Sequence, residues 1–157
     1  MKLAMLLLPA FLAGAPLLPA QSLLIVVRET LNGAPLTAPL SSREALASSL
    51  FDAGLIIFDL PGPAPAAGLL ATAAGAGADY LLEVTVDYSS AGSGQARVDG
   101  HLAYTLRSVP GGAVVLRGTL DGTNRGREGT VTQQALGLEM GGLVAQKVSG
   151  RLSQPVS

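Results

Sequence analysis

The chain has 157 residues, 48% of them hydrophobic and 13% charged, with ten Lys and Arg against eleven Asp and Glu, one His and no Cys. That balance provides no basic field for nucleic acid and no Lys-rich amphipathic helix for a membrane surface. The absent thiols exclude disulfides, thiolate metal sites and cysteine nucleophiles, and three Tyr, three Phe and no Trp leave little for a stacking platform.

Residues 1–20 carry one charge at Lys2, an apolar run from Leu3 to Leu18 broken by Pro9 and Pro16, and then Pro19-Ala20-Gln21. This is the pattern of a secretory signal peptide. The prolines and the missing charged flank argue against a spanning helix, which needs about 20 uninterrupted apolar residues. We expect a single α/β domain over 21–152, a loose tail at 153–157 and no transmembrane span in the mature chain. With no cysteine to carry a lipid, a periplasmic or secreted protein is expected.

Ser22 to Glu29 is apolar on both faces from Leu23 to Val27, which predicts a strand inside a sheet. Asn32-Gly33, Pro35 and Pro39 make 30–40 a loop. Ser41 with Glu44 is a capping-box pattern opening a helix that carries Leu46, Ala47 and Leu50 on one side and ends at Gly54. Leu55 to Leu60 is a second continuous apolar strand. After Pro61-Gly62-Pro63-Ala64-Pro65, an Ala-rich helix over 66–76 leads through Gly77 into the next strand.

At Tyr80 the pattern changes to strict alternation, the mark of strands with one face in water. Tyr80, Leu82, Val84, Val86 and Tyr88 share one face, with Leu81, Glu83, Thr85 and Asp87 on the other. The next strand sets Val98, Gly100, Leu102, Tyr104 and Leu106 against Arg97, Asp99, His101, Thr105 and Arg107. After the Pro110-Gly111-Gly112 turn, Val114, Leu116 and Leu120 point inward and Arg117, Thr119 and Asp121 outward. Ser89, Ser90 and Ser93 fall in a Gly-rich loop, and 124–129 is a polar loop. Thr130 to Leu152 closes the chain as a helix with Leu136, Met140, Leu143, Val144 and Val148 on its apolar face.

The fold class is therefore α/β (α+β): one mixed five-stranded sheet in the order strand, helix, strand, helix, strand, strand, strand, helix. Right-handed crossovers place the first two helices on opposite faces if the first strand lies between the second and third. The last helix covers the apolar side of the antiparallel meander and leaves its polar side open.

Charge selects a register, since like charges directly opposite destabilise. Pairing Tyr88 with Ala96 sets Asp87 against Arg97 and Glu83 against His101, while a three-residue turn sets Thr105 against Arg117 and His101 against Asp121. The result is a row of Glu83, His101 and Asp121. Such a histidine could act as an acid, a sensor or a poor metal site. Cross-strand charge pairing on a solvated face is the commoner meaning of such a row. Arg125 and Arg127 precede the last helix, where an anionic group could dock. Glu83, Arg97, His101, Arg117, Asp121, Arg125 and Arg127 are thus candidate partner-binding residues. No catalytic residue, metal or cofactor is assigned, and Gly75-x-Gly77 precedes a strand where phosphate-binding loops follow one.

Ser42-Arg43-Glu44-Ala45-Leu46-Ala47 with Leu50, Gly77-Ala78-Asp79-Tyr80 entering a strand, and the strand, turn and strand of 106–115 resemble the exported domain shared by the curli-secretion protein CsgG, the N-terminal domain of TolB and the penicillin-binding-protein activator LpoB. The resemblance spans roughly 22–150. It implies a non-enzymatic periplasmic module that docks on other envelope proteins, so an envelope or outer-membrane-associated protein is the expected partner. The acylated cysteine of the family's lipoproteins is absent, and 89–95 is too short for the membrane hairpins of its channel-forming members. Two other readings stand beside the assembly module. One is a small hydrolase-type enzyme using His101 with Glu83 and Asp121; the other is a carrier of a small apolar ligand.

Overall fold

The computed structural model describes residues 20–37, 41–60, 67–90, 97–125 and 129–154. Its elements are β1 (Ser22–Leu31), β2 (Ala34–Pro35), α1 (Ser41–Asp52), β3 (Ile56–Asp59), α2 (Leu69–Gly75), β4 (Tyr80–Ser90), β5 (Arg97–Ser108), β6 (Val114–Arg125) and α3 (Gly129–Leu152). The α/β class and the element order are those expected, with one strand more: a six-stranded mixed sheet ordered β2-β1-β4-β5-β6, with β3 also paired to β1.

The extra strand comes from the segment expected to be loop. Asn32 (φ 51°) and Gly33 (φ 80°) both take left-handed backbone, as a two-residue hairpin turn of the primed type requires. Thr30 and Leu31 consequently pair with Pro35 and Ala34. The Asn32 side chain then bonds the end of β4, donating to Ser90 Oγ at 3.1 Å and accepting the Ser90 N–H at 3.0 Å.

Both crossovers are parallel. β1 lies between β3 and β4, with Ser22 to Ile25 against β3 and Leu23 to Leu31 against β4. Its alternating side chains feed two cores. Leu23 and Ile25 join Leu46 and Leu50 of α1 and Met140 and Val144 of α3, while Leu24 and Val26 join Leu69 and Ala73 of α2 on the opposite face. β3 is an edge strand rather than a second fully buried one, and Ile56 is 47% exposed.

The Gly77-Ala78-Asp79 motif locks this parallel junction. Gly77 (φ 75°) turns the chain out of α2. Asp79 Oδ2 then accepts the Ser22 N–H at 2.8 Å and the Ser22 hydroxyl at 2.7 Å, and the Asp79 N–H bonds back to Ser22 Oγ at 3.0 Å.

Over the inner face of the meander lies α3, packed also on α1. Their contact is made by small residues. A Cβ on Gly141 would stand 2.4 Å from the Ser42 carbonyl oxygen and 3.0 Å from the Ala45 Cβ, and one on Gly137 would meet the Tyr88 hydroxyl at 2.6 Å. The buried stripe is Gln133, Leu136, Gly137, Met140, Gly141, Val144, Ala145 and Val148. Leu143 is not in it and is 42% exposed.

The expected β5–β6 register is found from Leu106↔Leu116 onward, with Thr105↔Arg117 and His101↔Asp121. A bulge beside Arg107 shifts the start of β6, so that Val114 is 46% exposed and Val115 packs on the core in its place. The expected β4–β5 register is overturned: Tyr88 pairs with Gly100 and Asp87 with His101, a slip of four residues. Packing explains the difference. A Cβ on Gly100 would stand 3.0 Å from Leu136, 3.1 Å from Met140 and 3.4 Å from the Tyr88 ring, so the tyrosine and the helix side chains need a glycine there. Tyr104 is likewise laid over Gly118, where a Cβ would come within 2.4 Å of its hydroxyl. Exposed charge pairs are worth a few tenths of a kcal/mol, and volume misfits in the core cost about 1–3. Packing wins.

Candidate partner-binding surface

Three long strands present their polar side outward, and among the described residues no helix lies over the outer side of β5 and β6. Period-2 alternation puts Glu83, Thr85, Asp87 and Ser89 of β4, Asp99, His101, Thr105 and Arg107 of β5, and Arg117, Thr119, Asp121 and Thr123 of β6 on this surface. Cross-strand pairing sorts them into rows: Glu83–Thr105–Arg117, Asp87–His101–Asp121 and Ser89–Asp99–Thr123.

The row of Glu83, His101 and Asp121 expected from charge is therefore corrected to Asp87, His101 and Asp121. His101 Nδ1 lies 2.6 Å from Asp121 Oδ1, with the two side chains 54% and 82% exposed. Glu83 instead accepts from Arg107 Nε at 3.3 Å, away from the histidine. Arg97 does not face Asp87; it bonds Asp99 on its own strand at 3.0 Å and pairs in register with Arg125. Arg117 is exposed at the end of the Glu83 row, and Arg127 and Ser93 lie outside the described residues. Ser89 and Ser90, expected in a loop, belong to β4 and pair with Asp99 and Val98.

The end of the surface nearest Ser90, Arg97 and Arg125 forms a shallow hollow of about 340 Å³ lined by Asp87, Ser89, Asp99, His101, Asp121 and Thr123, with Gly100 and Gly122. Its carboxylates and hydroxyls suit a hydrogen-bonding, cationic or polar surface group. Among the described residues no group of three or more His, Asp or Glu has metal-holding geometry.

A second set of polar residues escaped the sequence reading. Glu29 is 2% exposed at the end of β1, and its Oε1 accepts the Ser42 N–H at 3.0 Å together with the Ser42 hydroxyl. The helix start expected to be closed by Ser41 and Glu44 is thus held by a carboxylate from the sheet. Tyr88, Ser41 and Gln133 are buried beside it. Burial first, and the nearby Glu29 charge second, push the Tyr88 hydroxyl well above the usual tyrosine range. The signal was present in the alternation: Glu29 falls on the same side of β1 as Leu23, Ile25 and Val27.

No family model matches the chain, and no curated protein does. Solved structures do. The PelC dodecamer from Paraburkholderia phytofirmans aligns at TM-score 0.59 and 20% identity over 86% of this chain and 89% of that one. Lipoprotein GNA1162 from Neisseria meningitidis aligns at 0.53 and 16% identity over 82% and 98%. TolB from Acinetobacter baumannii aligns at 0.51 and 18% identity over 85% of this chain and 28% of its own. The chain is thus similar in fold to these bacterial proteins, TolB among them, as the sequence resemblance implied.

Proposed function

We propose that this chain is a non-enzymatic module of the bacterial cell envelope, exported by residues 1–20, that works by docking on other proteins. The observation that carries the proposal is the outer surface of β5 and β6 with the adjoining part of β4, over which no helix lies among the described residues and where Glu83, Arg97, Asp99, His101, Arg107, Arg117 and Asp121 mix both signs of charge across three strands. Mixed charge of this kind selects a partner and its orientation more than it supplies affinity. The fold neighbours support the reading, since one is a dodecamer and another a lipoprotein. Arg125, the last residue of β6, and Arg127 of the sequence that follows are kept as candidate docking residues on sequence grounds.

The test is to express the full chain in a bacterial host with a photo-crosslinking residue at Thr85 or Thr105 and to fractionate the cells. A periplasmic chain beginning near Gln21, crosslinked from these positions to a defined envelope protein, supports the proposal. A cytoplasmic, uncleaved chain without crosslinks overturns it.

A second reading has one observation in its favour: Ser89 lines the same hollow as the His101–Asp121 pair. Hydrolase chemistry there would use Ser89 in place of the expected Glu83. Turnover of activated esters that is lost in both His101→Ala and Ser89→Ala, with folding intact, would establish it. No difference between these variants and the parent dismisses it.

A further inference from the structure

Among the described residues, β6 is the long open edge of the sheet. The opposite edge is closed off by short strands, β3 with four residues and β2 with two, whereas β6 runs for twelve. β4 and β5 bury alternate residues along most of their length, yet no residue of β6 from Val114 to Asn124 is buried, the inward Leu116 and Leu120 included. Among the described residues, no backbone hydrogen bond joins Val114 to Thr123 of β6 to any element but β5. Leu143 of α3 stands three residues after Met140 and seven after Leu136, the two side chains that lie against Gly122 of β6. It therefore shares their flank, and it is 42% exposed. Natural proteins blunt edges of this length with proline, charge or bulges; β6 has no proline, lysine or inward charge, its Arg117 and Asp121 lie on the outer side, and its one bulge is at the very start.

The β6 sequence, Val-Val-Leu-Arg-Gly-Thr-Leu-Asp-Gly-Thr-Asn-Arg, is instead complementary to itself. We propose that two copies of this chain pair β6 to β6, antiparallel, about a two-fold axis through Thr119. In that register Arg117 lies opposite Asp121 of the second copy, and Asp121 opposite its Arg117. Thr119 faces Thr119, and opposite charges and Thr–Thr pairs both favour such a ladder. On the inner side Leu116 falls opposite Gly122 and Leu120 opposite Gly118, a large residue beside a small one in every pair. The axis falls within half a residue of the middle of the strand, so nearly all of β6 is used. Other registers fail: centring on Arg117 sets it against itself, and centring on Asp121 does the same while placing Arg117 against Arg125. Moving the axis one residue either way leaves both charges opposite neutral residues. The bulge beside Arg107 lies outside the Arg117 to Asp121 span and leaves the pairing segment regular.

The two-fold axis stands perpendicular to the sheet. The outer surfaces of both copies then form one continuous face, and both α3 helices sit on the other side, bringing the two Leu143 flanks toward the shared ribbon. The contact is isologous and closes at two copies. The Asp87–His101–Asp121 row of each copy is extended by the other's Arg117.

The chain contains no cysteine, which makes the test clean. Thr119→Cys introduces one exposed thiol at the axis. Directly opposed residues in an antiparallel pair have Cα atoms about 4.5–5.5 Å apart, within disulfide range. Mild oxidation of the mature chain should give a covalent dimer in high yield. Arg117→Cys alone should not crosslink, because its own copy is offset by four residues along the strand, about 13 Å. Mixing Arg117→Cys with Asp121→Cys should yield the mixed dimer. By analytical ultracentrifugation the parent should be a dimer, Asp121→Arg should weaken it at least tenfold by opposing two guanidiniums, and the Arg117→Asp/Asp121→Arg double variant should restore it. A monomer throughout the accessible concentration range overturns the proposal. So does equal crosslinking at 117 and 119, a larger ring that Thr119→Cys does not crosslink, or a double variant no tighter than Asp121→Arg.

Discussion

The carboxylate of Glu29 accepts the backbone N–H of Ser42 at 3.0 Å, so that the last turn of a buried strand holds the first turn of a helix. The contact lies where β1, β4, α1 and α3 meet, with Tyr88 and Gln133 packed around it. Among the described residues no cation pairs with Glu29; the donors of the helix start take that place.

Glu29→Ala should therefore cost about 2–4 kcal/mol, because it removes the partner of two buried donors and leaves a cavity. Glu29→Gln keeps an acceptor and should cost about 1 kcal/mol. Urea denaturation of the two variants checks this. A Glu29→Ala loss no larger than that of Glu29→Gln would show that Ser42 is satisfied in another way.

Alkaline stability should follow from Tyr88. Its hydroxyl is raised above the ordinary tyrosine value of about 10 by burial and by the Glu29 charge. The unfolded chain releases that proton near pH 10 while the folded chain retains it. Above pH 10 the unfolded state binds fewer protons, so stability present at lower pH declines as pH rises. Melting temperature measured from pH 8 to 11.5 should fall more steeply above pH 10 in the parent than in Tyr88→Phe. Parallel curves would remove Tyr88 as the cause.

Adjacent glycines on α3 should respond with opposite sign. A Cβ on Gly142 meets nothing within 4 Å, so Gly142→Ala should stabilise by about 0.5–1 kcal/mol through helix propensity. Gly141→Ala carries the same propensity gain, but its Cβ would press on the Ser42 carbonyl at 2.4 Å. It should destabilise by about 1–3 kcal/mol as α1 and α3 are forced apart. Equal shifts in thermal melting for the two variants would mean that the helices do not meet at Gly141.

Asp79→Ala removes the acceptor of both Ser22 donors at the β1–β4 junction. A loss of about 1–3 kcal/mol is expected. Amide exchange should accelerate at Ser22 and its neighbours and stay unchanged in β6. Uniform acceleration across the sheet would instead mark a global effect.

Much of this architecture is legible in the residues. Alternation placed the inner and outer faces of β4 and β5 correctly, continuous apolar sequence marked β1 as internal, and the turn at 110–112 gave the β5–β6 register through Leu106 and Leu116. The candidate surface was legible as a face but not as a row. The sequence reading used charge to pair β4 with β5, while the glycines opposite Tyr88 and behind Tyr104 decide it. An aromatic residue and a glycine on neighbouring strands were the missed signal. Leu143 was placed in the core because it keeps helical spacing with Leu136 and Met140; the groove beside α1 needs Gly137, Gly141 and Ala145, which rotates the buried stripe away from it. Glu29 was overlooked because a charged residue on an apolar face becomes meaningful only once a helix end is brought to it.

The sheet also sets the order in which the chain can fold. Every β1–β4 pair joins residues 57 positions apart, whereas β4, β5 and β6 are joined by short connections. Contacts between distant residues form late. The most apolar strand therefore leaves the ribosome first and finds its place among the last, after the meander has supplied the edge of β4. Pulse-labelled hydrogen exchange during refolding should show β5 and β6 amides protected ahead of those in β1. Until that docking, Leu23 to Val27 is an exposed, adhesive segment. The time a newly made chain spends before β1 docks, more than its final stability, sets its exposure to aggregation.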